Sequence, residues 1–285
     1  MKCLVCSSSK IEFQFISKNR HGRNYINNEE FKVFRCSNCQ AYFISDLKES
    51  DEYFKKYYLE DYYKKESQSI LDKTLDYLQI FSIKQKEKFI KKNFDCLSSK
   101  ISILDLGCGD GKFLENLDSK IFEKEGIDVN QKSIDICEKK GIKTFKGTIS
   151  NFPAKKHSFD VITLWHVAEH LFNPLETIGF ACKFLKKGGL LIISVPNTNS
   201  IGFKTARENW FHFDSPRHTY LPNNKTIQYL AKKNKLKIEN EINEFYDFPL
   251  DLFWSLAFSK YKILLFLFPI LKILSSETRT YIIKK

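Results

Sequence analysis

Ile103-Leu104-Asp105-Leu106-Gly107-Cys108-Gly109-Asp110-Gly111 decides the fold. A short apolar run ends in three glycines spaced two apart, and a helix-compatible stretch follows. Such a strand, bend and helix marks the carboxyl end of a buried strand, where the backbone turns sharply and approaches a ligand. The spacing is G-x-G-x-G rather than the G-x-G-x-x-G of dinucleotide binders, which disfavours a nicotinamide cofactor. Phe122–Val129 is expected to be the next strand, and its Asp128 lies 21 residues beyond Gly107, where a carboxylate can accept from both hydroxyls of a ribose.

Outward from this bend, apolar runs alternate with helical stretches. Gln131–Lys140 reads as a helix closed by Gly141. Lys143–Lys146, Phe159–Leu164, Leu190–Val195, Leu236–Glu244 and Thr278–Ile283 read as strands, with Gly188-Gly189 as the turn before the third of these. Pro174–Leu185 and Thr226–Lys233 read as helices. This alternation predicts an α/β fold with a doubly wound sheet and ligands at the strands' carboxyl ends.

Two C-x-x-C pairs, Cys3/Cys6 and Cys36/Cys39, stand 29 residues apart near the N-terminus. Four thiolates at this spacing can close a tetrahedral zinc site, with no vacancy for a substrate, so the metal is expected to be structural Zn2+. Short strands such as Glu12–Ile16 and Phe31–Arg35 would form the ribbon it holds. Cys96, Cys108, Cys137 and Cys182 have no partner by spacing and read as small buried hydrophobes. Cys3 already belongs to the motif and no apolar leader follows Met1, so a reducing, cytoplasmic setting is expected.

With 285 residues, 42% hydrophobic and 15% aromatic, the chain can bury a sizeable core and is no disordered tail. The net charge is +12, yet Arg20, Arg23, Arg35, Arg207, Arg217 and Arg279 are the only arginines among 46 basic residues. A lysine excess of this kind fits AT-rich coding better than a nucleic-acid footprint, which is usually clustered and arginine-rich.

The motifs in series resemble class I S-adenosylmethionine-dependent methyltransferases, in particular the small-molecule group with the ubiquinone-pathway O-methyltransferases and bacterial glycan-modifying enzymes. The resembling residues are Ile103 to Gly111, Gly126-Ile127-Asp128, Ser158-Phe159-Asp160-Val161-Ile162, His166-Val167-Ala168-Glu169-His170-Leu171, and Lys187 to Pro196, across about residues 100–240. The resemblance implies a Rossmann-like seven-stranded sheet with an antiparallel seventh strand and S-adenosyl-L-methionine as cofactor. Gly107, Cys108, Gly109 and Gly111 would form its cradle, Asp105 would hold its amino group, and Asp128 its ribose. Where an acidic residue often meets the adenine, this chain has Gly147-Thr148-Ile149-Ser150, so Thr148, Ile149 or backbone groups are the candidates.

Methyl transfer to a hydroxyl needs alignment and a base, and histidine suits the second task near neutral pH. The candidates are His166, His170, His212 and His218. His166 directly follows a strand and should stand near the transferred methyl. Glu169-His170 resembles a pair that in related O-methyltransferases serves the cofactor edge or a metal; no further carboxylate fixes a metal here, and none is expected. Trp210-Phe211-His212-Phe213-Asp214-Ser215-Pro216-Arg217-His218 resembles a block of glycan-associated members, with Arg217 pairing an acidic group of the acceptor and His218 as general base. Leu164-Trp165-His166-Val167 lacks the acidic or Asn residue and prolines of many base-methylating enzymes.

The expected organisation is a zinc ribbon at 1–46, a helical linker or lid at 47–99, and a methyltransferase domain at 100–285 with an apolar helical insertion at about 248–275. Tyr53, Tyr57, Tyr58, Tyr62 and Tyr63 of the linker either close over the cofactor or pack an amphipathic helix. Trp254–Leu274 is apolar, but its longest uninterrupted run, Ile263–Leu271, is too short to span a bilayer. It reads as an interfacial helix, a dimer contact or a core helix, and in the first case suggests peripheral attachment at the inner membrane face and a lipid-linked acceptor. The expected activity is O-methylation of a small molecule or glycan precursor. Two rivals are an RNA methyltransferase using the ribbon, marked by salt-sensitive RNA binding, and a non-catalytic cofactor-binding or assembly protein, marked by binding without turnover.

Overall fold

A computed structural model describes residues 1–21, 24–58, 70–94, 99–244 and 248–285. Tyr62, Tyr63 and Cys96 lie outside the described residues.

Seven strands form the main sheet: β4 (Ile101–Leu106), β5 (Phe122–Asp128), β6 (Lys143–Lys146), β7 (Phe159–Trp165), β8 (Leu185–Pro196), β10 (Lys237–Glu244) and β11 (Thr278–Lys284). Their order is β10-β11-β8-β7-β4-β5-β6. β8, β7, β4, β5 and β6 run parallel, and β11 is antiparallel to both its neighbours, β8 and β10. The central strands are buried on both faces, which is why β4 and β8 read as near-continuous apolar runs. Side chains alternate across the sheet. Leu104, Ile162, Leu191 and Ile193 enter one core layer, while Ile103, Val161, Leu190 and Ile192 enter the other.

Helices cover both faces, and their ends follow local chemistry. α4 (Gln131–Lys139) begins at Asn130, whose side chain accepts from the backbone N–H groups of Lys132 and Ser133. α5 (Pro174–Phe184) opens on proline, and α7 (Asn224–Lys233) carries a capping box between Asn223 and Thr226. α2 (Ile70–Lys91) lays Ile83 and Ile90 against the layer that holds Ile103. α3 (Lys112–Glu115) starts directly after the glycine bend, and α6 (Ile201–Ala206) after β8.

A second, four-stranded sheet has the order β1 (Ile11–His21), β2 (Asn24–Cys36), β3 (Tyr42–Ile44), β9 (Tyr220–Leu221). β1 and β2 make an antiparallel hairpin longer than the sequence suggests, and β3 pairs with β2. The fourth strand, β9, comes from far along the chain and pairs with β3. The cysteine-bearing end therefore shares a core with the large sheet: Cys3, Cys36 and Cys39 pack in the same layer as Leu104 and Leu191. α1 (Asp51–Tyr57), capped by Ser50, packs Tyr53 and Tyr57 in one cluster with Phe31 and Val33 of this sheet.

Two expectations are corrected. Gly188-Gly189 is not a turn before a strand but lies within β8, where the pairing shifts register between Phe159 opposite Leu185 and Val161 opposite Leu190; Gly188 supplies the positive φ of +78° that the irregularity needs. The apolar stretch near the C-terminus is not one helix. It is α8 (Asp251–Ala257), a 3-10 segment (Lys262–Leu267) and α9 (Phe268–Leu274), broken around Ser259 and Tyr261 and again before Pro269. Among the described residues no helix is long and apolar enough to cross a membrane.

Candidate active site

The glycine bend is built as its sequence demands. Gly107 has φ +70°, and a Cβ there would stand 2.5 Å from a Val167 methyl carbon, so only glycine lets the bend close on the segment after β7. Gly109 has φ +53° and no atom within 4 Å of where a Cβ would sit, so its side faces open space. Its N–H donates to Asp128 Oδ2 at 2.9 Å, and Asn130 N–H donates to Oδ1 at 2.8 Å. Asp128, at the end of β5, thus borders the bend with acceptor capacity to spare, and burial raises its carboxyl above the ordinary value.

Asp105, one residue before the end of β4, is buried and accepts from the Thr163 hydroxyl at 2.6 Å. Burial pushes its carboxyl up to about 7, against the Thr163 hydrogen bond and helped by nearby Asp128. Two carboxylates beside an open glycine cradle favour a ligand with positive charge and vicinal hydroxyls. An adenosyl sulfonium carrying an ammonium fits these acceptors. Cys108 is buried against Gly126 and packs the bend from behind. Gly111, also at positive φ, abuts Cys137 and Ile142 at the turn into α3. Thr148 is exposed at the start of a 3-10 turn, bonded to Ser150 Oγ at 2.7 Å, whereas Ile149 points into the core. Thr148 and the nearby backbone therefore remain candidates for an adenine edge, and the Ile149 side chain does not.

At the same carboxyl end of the parallel strands, the segment after β7 turns at His166 (φ +56°) into a 3-10 turn, Ala168–His170. This turn buries Glu169 completely, and neither of its carboxylate oxygens has a hydrogen bond. His166 Nδ1 is 3.7 Å from Glu169 Oε1. Burial works to raise the Glu169 carboxyl, but the His166 contact and the fields of His218, His170 and His166 outweigh it and hold it below its ordinary value. The His170 and His218 rings meet edge to face at 4.6 Å. His218 Nδ1–H donates to the His212 carbonyl at 2.7 Å, which puts its lone pair on Nε2. Burial lowers His218 to about 4, so it is neutral at physiological pH. Glu169, His170 and His218 bring one ligand atom each within 4.8 Å of the others, a set that can hold a divalent cation. Sequence spacing offered only the first two of these.

Arg217 is a correction. It was expected to face the acceptor, but it is 1% exposed and turned inward. Its guanidinium clasps both Asp214 carboxylate oxygens and donates to the backbone carbonyls of Tyr57, at 3.2 Å, and Arg20. With its donors so engaged, it ties α1 and β1 to the loop that carries His218. Of the linker tyrosines, Tyr53 donates to the Pro216 carbonyl at 3.1 Å, and Tyr57 to Glu29 at 2.8 Å. Tyr58 reaches the histidine cluster, its hydroxyl 3.0 Å from His170 Nδ1.

Phe248 went unnoticed in the sequence. Its ring stands 5.0 Å from those of both His166 and His212, walling the site from the side of the C-terminal insertion. His212 Nε2 is 3.0 Å from Asp251 Oδ2, and Lys272 of α9 pairs with the other oxygen. One more aromatic among many carries no sequence signal of this placement.

At the other end of the small sheet the four cysteine sulfurs converge within 4.8 Å, with Cys3 and Cys39 Sγ 3.6 Å apart and Cys6 and Cys36 Sγ 3.5 Å apart. A tetrahedral zinc with bonds of about 2.3 Å sets sulfurs about 3.8 Å apart, so these residues can hold one. Cys108 and Cys137 are buried, as expected, and Cys182 is partly buried.

The chain is similar to several known proteins. An uncharacterized protein of Methanocaldococcus jannaschii is 33% identical over 97 residues, covering 34% of this chain and 45% of its own length. A ubiquinone biosynthesis O-methyltransferase of Vibrio cholerae is 27% identical over 104 residues, 34% of this chain and 42% of its own. The chain thus spans less than half the length of these curated relatives. Among solved structures, a putative sarcosine dimethylglycine methyltransferase from Galdieria sulphuraria aligns with a TM-score of 0.52 at 12% identity, over 73% of this chain and 85% of the other. The plantazolicin methyltransferase BpumL in complex with SAH aligns at 0.50 and 19% identity, over 74% and 85%. At these identities the two structures show a shared fold. A family model described as a methyltransferase domain matches residues 78–241, and with more than half of its length inside that match this chain belongs to the methyltransferase-domain family.

Proposed function

We propose that this protein transfers a methyl group from S-adenosylmethionine to a hydroxyl of a small molecule or a glycan or lipid-linked sugar precursor. The observation that carries the reading is the concentration of three devices at the carboxyl ends of β4, β5 and β7: the glycine bend, the carboxylates Asp105 and Asp128, and the His166–Glu169 pair. S-adenosylmethionine, when bound, supplies a methyl carried by a good leaving group. Asp128 accepts from the ribose hydroxyls, Gly107 and Gly109 admit the methionine portion, and Asp105 accepts from its ammonium. His166 takes the acceptor's proton, and Glu169 behind it stabilises the imidazolium that results. His218, already neutral, is the second candidate base. Phe248 and the insertion keep water from the reacting atoms.

The four cysteines hold structural zinc in this reading. Its role is to fix β1 to β3 and, through β9, the loop that ends in His218.

Calorimetric titration of the purified chain with S-adenosylhomocysteine tests the cofactor assignment. One site per chain is expected, and Asp128→Ala should weaken it about 100-fold, the worth of two hydrogen bonds to a charged acceptor. Absence of binding, or equal affinity in the variant, overturns it. Turnover on hydroxylated acceptor pools separates the enzyme from a binding protein, and salt-sensitive RNA binding that competes with those acceptors would point to the RNA rival.

A further inference from the structure

The insertion between β10 and β11 has two unlike faces. Inward, Phe248 walls the candidate site and Asp251 is buried in its pair with Lys272. Outward, Phe258, Ile263, Phe266, Ile270, Ile273 and Leu274 are all exposed, Phe266 by 85% and Ile273 by 74%. Large side chains this exposed, gathered in one short segment, form an apolar face of the kind a monomeric protein seldom shows to water without a use for it. Lys260 and Lys262 are exposed at its margin, and no acidic residue occurs anywhere between Asp251 and Glu277.

We propose that this face docks on an anionic lipid bilayer. The 3-10 segment and α9 lie in the headgroup region, Phe266 and Ile273 enter the acyl chains, and Lys260 and Lys262 meet the anionic headgroups. Charge argues for lipid over a second copy of the chain. Two such faces brought together would set lysines against lysines with no carboxylate in either segment, and each chain carries a net charge of +12. Length argues for lying on the bilayer rather than crossing it, since α9 has only seven residues. The proposal does not rest on methyl transfer, because docking is scored without turnover.

The test is flotation of the full chain with phosphatidylcholine vesicles and with vesicles that also contain phosphatidylglycerol. The unmodified chain should float with the second and poorly with the first, and added salt should release it. Lys260→Glu with Lys262→Glu should weaken binding by more than about tenfold, at about fivefold for each lysine lost. Phe266→Asp with Ile273→Asp should also weaken it by about tenfold or more, with the melting temperature kept because these side chains contact water. A readout without substitution is quenching of tryptophan fluorescence by brominated acyl chains, since the Trp254 ring stacks on that of Phe258. Failure of the unmodified chain to float, or variants that float as well as it does, overturns the proposal. So does a dimer in ultracentrifugation that the apolar variants dissociate while vesicle binding stays absent.

Discussion

Binding of a cationic nucleoside to this site near pH 7 should release roughly half a proton, and its source is Asp105. In the ligand-free protein burial holds that carboxyl at about 7, against an ordinary value of 3.8. An ammonium set beside it favours the ionised form and returns the value toward the ordinary range. If the bound value falls well below 6, affinity should rise about tenfold between about pH 6 and pH 8, as ionised Asp105 goes from a minor to the major form. The same shift acts on stability. An acid whose folded value lies above its unfolded value opposes folding once the pH passes the unfolded value. The ligand-free fold should therefore be strongest toward pH 4 on this account and lose roughly 4 kcal/mol as the pH rises through 7, all other groups aside. Glu277 is also pushed up to about 7 by burial. However, its carboxylate serves Trp210, Ser200 and Gly202, so it shifts the free protein's stability and not the ligand-linked proton. Calorimetry in two buffers of different ionisation enthalpy reads the proton count directly. Identical heats in both buffers, or an Asp105→Asn variant that releases as many protons, would refute the argument.

Glu169→Gln and His166→Ala should each lower turnover by about 100-fold or more while leaving S-adenosylhomocysteine affinity intact; if His218→Ala has the larger effect and these two little, His218 is the base. Metal analysis should find one zinc per chain, and Cys39→Ser or a strong chelator should lower the melting temperature along with the zinc content; a metal-free chain that melts at the same temperature removes the assignment. Arg217→Ala should cost about 3–5 kcal/mol in denaturant unfolding, because it breaks a buried ion pair and removes the ties to the Tyr57 and Arg20 carbonyls. A variant of full stability that loses only turnover would return Arg217 to the acceptor.

The parallel sheet was legible because each central strand is buried on both faces, so Ile101–Leu106 and Leu190–Val195 announce themselves as apolar runs. The glycine bend was legible because positive φ at Gly107, Gly109 and Gly111 admits little else. The histidine cluster was only half legible. His166, Glu169 and His170 lie within five residues, but the ring that completes the group, His218, arrives from a loop whose path is set by tertiary contacts. Arg217 was misjudged for a related reason. An arginine in a polar loop looks solvent-facing until its partners are known, and those are Asp214 beside it and backbone carbonyls at Tyr57 and Arg20. Two-residue β9 was invisible, since so short a strand has no periodicity to read.

That short strand joins the two halves of the molecule. Tyr220 and Leu221 pair with Phe43 and Tyr42, and Ile44 N–H donates to the Thr219 carbonyl at 3.0 Å. Just beyond, Asn223 donates to the Gln40 carbonyl and Thr226 to the Cys39 carbonyl, both at 3.0 Å. Just before it, Arg20 N–H donates to the Ser215 carbonyl at 3.0 Å, and Arg217 returns a bond to Arg20. The loop that places His218 against His170 is therefore held on both sides by the N-terminal sheet, and one of those holds is the backbone of Cys39 itself. Four thiolates closed around a metal would stiffen that backbone most at the knuckle where Thr226 and Asn223 attach. On the proposed reading, a zinc-closed cysteine module would bear on methyl transfer without touching substrate: by fixing where β3 lies it would fix where β9 lies, and with β9 the approach of His218 to the buried carboxylate of Glu169.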